Sequence, residues 1–332
     1  MPTRFGREPP AFGPAQRWAA QRTFHHGQLP PERVAAERES TISVCLPARD
    51  EATTIGPILD CLMPLIDQGV VDQVVVVADG SDGTHDIAAG RGAEVHDQSA
   101  LCSNLGPVQG KGDAMWRALT VLTGEVVCFL DADSEHFGCH FAAALAGAVA
   151  IPGPTAFAKA FYRRPFRIDE GTKLPTGGGR VTELTARPLL RAFYPELAEI
   201  RQPLAGEIAA RRDLLEQIPF GLGYAVDIGL LIDAWRHVGL EGIAQVDLDV
   251  RQNRHQSLEE LGPMAQAVLA GVIERLHRDG CLEAGEDRLP WPERPPIASL
   301  YESRELWSAS RRTPAMPNHS TKTEAPVATT TT

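Results

Sequence analysis

The chain has 332 residues, 43% hydrophobic and 23% charged, which is enough to bury a sizeable core and ordinary for a globular protein. Its formal net charge of -11 argues against a nucleic-acid binder, which needs a basic face, so any phosphate site must be local. No apolar run approaches the roughly 20 residues that span a bilayer and no secretory leader is legible, so a membrane role has no support.

In chain order, residues 1–38 are a Pro- and Arg-rich lead-in whose "WAAQRTFHHGQL" carries Trp18 and Phe24 as candidates to dock on a core. "TISVCLPARDE" is a β-branched strand stopped by Pro47, and "ATTIGPILDCLMPLIDQG" follows with helical spacing. "VVDQVVVVADGSDGT" is a second strand ending in a turn, and "HDIAAGRGAEV" a short helix. "GDAMWRALTVLT" and "GEVVCFLDADS" add a helix and a third continuous apolar strand. Such strands between helices predict an α/β fold with a mostly parallel sheet covered on both faces.

Past Ile151 the rhythm changes. "TAFAKAFYRRPF" reads as a strand, "GTKLPTGGGRVTELTARPLL" as a glycine loop feeding a helix, and "AVDIGLLIDAWRHVG" as an amphipathic helix. "GIAQVDLDVRQNRH" alternates like a strand, and a long helix starts behind an N-cap at Ser257. The expected division is 39–150 for a nucleotide-sugar half, 151–290 for an acceptor and catalytic half, and 291–332 for an extension that is disordered from about 308. Cys45, Cys61, Cys102, Cys128, Cys139 and Cys281 show no C-x-x-C spacing and read as reduced thiols of a cytoplasmic protein.

Asp131 and Asp133 stand where a buried strand leaves the sheet, the usual ligand edge of open α/β sheets. Two readings are open there: a pair of hard oxygen donors for Mg²⁺ or Mn²⁺, or polar residues that merely cap a strand. Pro47, Ala48, Arg49 and Glu51 share the predicted edge, with Asp79 and Ser81 at the next strand's exit. Lys111 between Gly110 and Gly112 either offers an ammonium and backbone amides to a phosphate or sits in a plain loop. Gly179, Arg180 and Thr182 form a second anion candidate at a helix start, where Arg180 can bind phosphate or carboxylate bidentately; the other reading is a glycine-rich hinge. Two anion sites, one acidic pair and no P-loop suggest a nucleotide-sugar donor with a separate anionic acceptor.

From about Trp18 to Leu276 the chain resembles the glucosyl-3-phosphoglycerate synthases, retaining glycosyltransferases of the GT-A fold. The resemblance rests on "LPARDEATTIG", "GPVQGKGDAMWRAL", "FLDADS", "KAFYRRP", "TGGGRVTELTARPLL", "QPLAGE", "GYAVDIGLLID" and "DVRQNRHQSLEELG" in that order. It implies transfer of glucose from UDP-glucose to 3-phosphoglycerate with Mg²⁺ or Mn²⁺, in a cytoplasmic homodimer. Carried across, Pro47, Ala48, Arg49, Glu51, Ser81, Lys111, Asp131, Ala132, Leu204 and Ala205 are donor positions. Gly179, Arg180, Thr182 and Asn253 are acceptor positions, Asp133 and His255 metal ligands, and Asp227, Asp133 and Lys111 the catalytic set.

The chain departs from the family pattern at four places. Ala205 stands for a serine, Asp227 for a glutamate, and Asn253 for a histidine ligand that His255 can replace, while Ala78 stands where an acidic residue helps read the base. These departures keep a second reading open, the same chemistry with another sugar donor or phosphorylated acceptor in a secondary-metabolite pathway. A catalytically dead nucleotide-sugar sensor and a nucleotidyltransferase are the more distant alternatives.

Overall fold

The computed structural model describes residues 13–164, 166–167, 173–174, 179–251, 257–283 and 291–302. Its central sheet has eight strands: β1 (Thr23–His25), β2 (Ile42–Arg49), β3 (Gln73–Asp79), β4 (Glu94–Asp97), β5 (Val126–Phe129), β6 (Phe157–Arg163), β7 (Ile208–Arg211) and β8 (Ile243–Val250). They lie in the order β1-β8-β6-β7-β5-β2-β3-β4. Only β7 runs antiparallel to its neighbours, β5 and β6; the remaining pairs are parallel.

The continuous apolar strands are explained by two cores, one on each face of the sheet. Along β2, Val44 and Leu46 pack on one side and Cys45 on the other. The first side is covered by α1 (Ile55–Leu62) and α3 (His140–Ala150). The second is covered by α2 (Gly110–Ala118), α4 (Val226–Val238) and α5 (Leu258–Arg278). Each fully buried aliphatic side chain in these layers contributes roughly 1.5–3 kcal/mol. The Ser257 N-cap is present, with its hydroxyl accepting from Glu260 N–H at 3.2 Å and its own N–H donating to the Glu260 carboxylate at 2.6 Å.

The lead-in is part of this architecture. Trp18, 1% exposed, donates its indole N–H to the Ile243 carbonyl at 2.9 Å, and β1 pairs with β8 as an edge strand. Three strands of this sheet, β1 in the lead-in, β4 and β7, were not predicted. "HDIAAGRGAEV" resolves into a helix, Thr84–Gly90, followed by β4, because the left-handed Gly92 ends the turn and redirects the chain to the sheet edge. β7 is four residues long and too short to declare itself by pattern.

The segment 291–302 is folded against the body. Glu293–Arg294 pairs antiparallel with Phe220–Gly221, and Arg294 holds Asp113 of α2 through contacts of 2.7 and 2.9 Å. The expected disordered tail lies outside the described residues. Among the described residues, no helix is long and apolar enough to cross a membrane.

Candidate active site

Every parallel strand from β2 to β5 ends at one edge of the sheet, where a cleft of about 600 Å³ opens. Pro47, Ala48 and Arg49 at the end of β2, with Glu51 just past it, form its wall, and Asp131, Ala132 and Asp133 its floor beyond β5. Gly179, Arg180 and Thr182 face it at the start of a helix that passes through a π-turn, Thr182–Ala186, before continuing as Arg187–Phe193. Such π-turns recur at functional sites. Lys111 enters from the first turn of α2 and Asp227 from the first turn of α4.

Two predicted positions do not line the cleft. Ser81 is exposed on the turn after β3, its N–H bonded to Asp50, and Asp79 takes the place on the wall. Ala205 is buried in the core, because the chain alternates there and turns Leu204 and Gly206 to the cleft instead. Asn253 and His255 lie outside the described residues.

Strong electrostatics set the floor. Arg251, 1% exposed, reaches Asp131 at 3.0 Å and Asp133 at 2.6 Å, and it also pairs with buried Glu207. Its Nε donates to Ser134 Oγ at 2.9 Å, and the Tyr162 hydroxyl accepts from it at 2.8 Å while donating to Glu207 at 2.9 Å. The aspartates converge although Ala132 and Asp133 form a turn, so the cause is this shared guanidinium rather than the extended segment expected from spacing.

Lys111 sits between two carboxylates, 2.5 Å from Asp131 and 3.7 Å from Asp227. Burial opposes its charge, but Asp131 and Asp227 outweigh that and raise its pKa. Burial likewise opposes ionisation of Asp131, yet Lys111 and Arg251 hold it well below the usual carboxylate range. Asp227 goes the other way, because burial pushes its pKa up against the pull of Lys111 and Lys159. Lys159 lies beneath it and donates to the Asp227 carbonyl at 3.1 Å.

The glycines around Lys111 have a structural role as well. A Cβ on Gly112 would fall 1.9 Å from the Gly221 carbonyl oxygen, so α2 can approach the loop before α4 only without a side chain there. At Gly206 a Cβ would meet both Lys111 Nζ and Asp131 Oδ1 at 2.3 Å, which makes this glycine a condition of the ion pair.

The residues fit a hard divalent cation. Asp133 offers a half-exposed carboxylate toward the cleft, and Glu51 is pushed up by burial and then by the negative charge of Asp133. A cation there would relieve that excess, and oxygen ligands suit Mg²⁺ or Mn²⁺. A separate trio, His25, His26 and Asp249, brings ligand atoms within 4.8 Å of one another beside β1 and β8. Within it His26 bonds Asp249 at 3.1 Å, and His25 Nδ1 accepts from Gly27 N–H.

The reading by spacing missed Arg251, Glu207, Tyr162, Arg164, Gln98 and Gly206. Arg251 and Glu207 sit inside segments quoted for the resemblance, but nothing local marks a partner more than 40 residues away.

A parallel sheet with one antiparallel insertion, a paired-aspartate turn after a central strand, and anion-binding loops on both sides of it define a metal-dependent nucleotide-sugar glycosyltransferase of GT-A type. A family model described as glycosyl transferase family 2 matches residues 43–148. Over 266 residues the chain is 43% identical to the glucosyl-3-phosphoglycerate synthase of Mycolicibacterium paratuberculosis, spanning 79% of this chain and 80% of that one. The chain belongs to the glucosyl-3-phosphoglycerate synthase family.

Among solved structures, mannosyl-3-phosphoglycerate synthase from Rubrobacter xylanophilus superposes with a TM-score of 0.79 at 42% identity, covering 86% of this chain and 98% of that one. The Mycobacterium tuberculosis glucosyl-3-phosphoglycerate synthase, in complex with Mn²⁺, UDP-glucose and phosphoglyceric acid, gives 0.70 at 38% identity over 82% and 95%.

Proposed function

We propose that this protein transfers glucose from UDP-glucose to 3-phosphoglycerate with retention, forming glucosyl-3-phosphoglycerate with the help of Mn²⁺ or Mg²⁺. The observation that carries the reading is the juxtaposition, in one cleft, of the Asp131–Asp133 floor and the Gly179–Thr182 helix start, with Lys111 and Asp227 between them. The Mycobacterium tuberculosis relative, which holds Mn²⁺, UDP-glucose and phosphoglyceric acid together, supports it.

Glycosyl transfer develops positive charge on the sugar and negative charge on the departing diphosphate. A divalent cation held by Asp133, when bound, offsets the leaving-group charge. Lys111 adds a fixed positive charge beside it and is itself kept ionised by Asp131 and Asp227. Arg180, Thr182 and the open backbone at Gly179 bind the acceptor phosphate. The anomeric C–O bond to phosphate breaks and the bond to the acceptor hydroxyl forms on the same face, with the departing phosphate oxygen taking the acceptor proton. Asp227, half a turn into α4, orients sugar and acceptor hydroxyls rather than forming a covalent adduct.

Leu184 and Leu258, 76% and 74% exposed on helices that touch each other, support a homodimer, and the six free cysteines support a cytoplasmic setting. A second reading, a different hexose donor, is favoured by the similarity to the Rubrobacter mannosyl-3-phosphoglycerate synthase together with Asp227 in the cleft. Incubation of the protein and Mn²⁺ with UDP-, GDP- and ADP-hexoses and a panel of phosphorylated acceptors decides between them. Glucosyl-3-phosphoglycerate from UDP-glucose is the expected product. Turnover with mannose alone selects the second reading, and no transfer to 3-phosphoglycerate from any donor sinks both.

A further inference from the structure

The order of strands along the cleft edge fixes which ligand group lies where. Passing along the sheet, the exits of β8 and β6 supply Arg251 and Arg164, the approach to β7 supplies Gly206, and β5 supplies Asp131. β2 and β3 then supply Ala48 and Asp79, and the edge strand β4 leads into Gln98. A side chain at Gly179 would come within 3.9 Å of Arg164, which puts the acceptor loop at the β6 end. With the diphosphate at the aspartates, the nucleobase falls at the β3–β4 end.

Gln98 is the polar group waiting there. It is 5% exposed, lines the cleft, and is pinned by its own N–H to the Ala78 carbonyl at 2.9 Å. Its carboxamide makes no hydrogen bond to any of the described residues. The carboxamide is not among the enclosed polar atoms left without a partner; it opens onto the cleft, where a ligand can bond it. Beside it Ala78, 6% exposed, has no polar atom to offer in its side chain.

We infer that Gln98 reads the nucleobase of the sugar donor through its carboxamide. This rests on the reading of the cleft as a nucleoside-diphosphate-sugar site. The imide edge of uracil presents one N–H between two carbonyls, and a carboxamide meets it with one acceptor and one donor. A carboxylate can only accept, so it meets the one uracil N–H but offers no donor to the carbonyls, and it suits the paired N–H donors of guanine better. Gln98 therefore does the work of an acidic residue at position 78, with a donor as well as an acceptor, and it contacts no reacting atom.

Steady-state transfer from UDP-glucose and GDP-glucose to 3-phosphoglycerate tests the assignment in wild type, Gln98→Ala and Gln98→Glu. Gln98→Ala is expected to lower kcat/KM for UDP-glucose by about 10- to 100-fold, through KM with kcat kept, as for loss of one bidentate base contact. Gln98→Glu should move the UDP-to-GDP preference toward GDP by at least about tenfold. That ratio is internal to each preparation, so a partly unfolded variant does not distort it. An unchanged ratio and donor KM in both variants overturn the inference. Should wild type transfer nothing from either donor, the proposed reaction fails by itself. Calorimetric affinities for UDP and GDP with Mn²⁺, which need no acceptor, then decide on Gln98 by the same ratio.

Discussion

The reacting end of the cleft and its nucleobase end are built by different means. At the reacting end, side chains from three separate segments meet on one guanidinium: Asp131, Asp133 and Ser134, then Glu207, and Tyr162 all bond to Arg251. Removing any buried member leaves a charge or donor unmatched, so the arrangement is over-determined. At the nucleobase end the loops after β2 and β3 are largely exposed and hold each other by single polar ties, such as Ser81 N–H to Asp50 at 3.1 Å and Ala52 N–H to Asp82 at 2.8 Å. The geometry of the chemistry is thereby locked into the core, while recognition of the base rests on parts that can change without disturbing it.

Substitutions at the reacting end should give the largest effects. Asp133→Asn removes the exposed carboxylate that faces the cation, and transfer should fall by about 10²–10³-fold, as for other losses of preorganised charge. Because this side chain is half exposed, thermal unfolding should barely move; a large drop in melting temperature would show that Asp133 is structural and break the comparison. Chelation of the divalent ion should reproduce the loss in wild type and add little in the variant. Gly206→Ala comes next. Its methyl would fall 2.3 Å from both Lys111 and Asp131, and a displacement of that pair should cost about 100-fold in rate with the donor KM less affected. Single-turnover transfer rates measure this directly, and wild-type rates would mean that the pair is not held as described.

What was legible in the sequence follows the same division. The apolar runs of β2, β3 and β5 and the helices between them could be read locally, and with them the positions of Lys111, Asp131 and Asp133, because strand exits and helix starts are short-range features. Arg251 was not marked, since its importance arises from partners 117 to 120 residues away. Gln98 was hidden for another reason: β4 is an edge strand of mixed polarity, "EVHD", which carries no periodic signal. Ser81 and Ala205 failed to reach the cleft because position along a chain does not fix side-chain direction through a turn.

The buried amine beneath Asp227 sharpens the contrast through pH. Burial lowers the Lys159 pKa from 10.5 to about 8, against the pull of Asp227. Between those values the unfolded chain binds more protons than the folded one, so this group makes stability rise with pH across the window and adds no slope outside it. Lys159→Met removes that slope. The difference in unfolding free energy between wild type and variant should change by at most on the order of 3 kcal/mol between pH 8 and 10.5, measured by urea titration. A pH-independent difference would show that the amine is already solvated.

The smallest effect is expected at the nucleobase end, from Thr84→Val. The Thr84 hydroxyl, in a residue 2% exposed, accepts from Glu51 N–H at 2.8 Å and donates to Asp82 at 2.6 Å, tying the β2 exit to the β3 exit. Valine keeps the shape but leaves the Glu51 N–H unmet, a cost of about 1–3 kcal/mol. The wall carrying Arg49 and Glu51 then loosens, so KM for the sugar nucleotide should rise a few-fold, on the order expected for loss of uniform binding, while kcat holds. If kcat fell as steeply as in Gly206→Ala, the two ends of the cleft would be mechanically coupled, and base recognition could not vary independently of the chemistry.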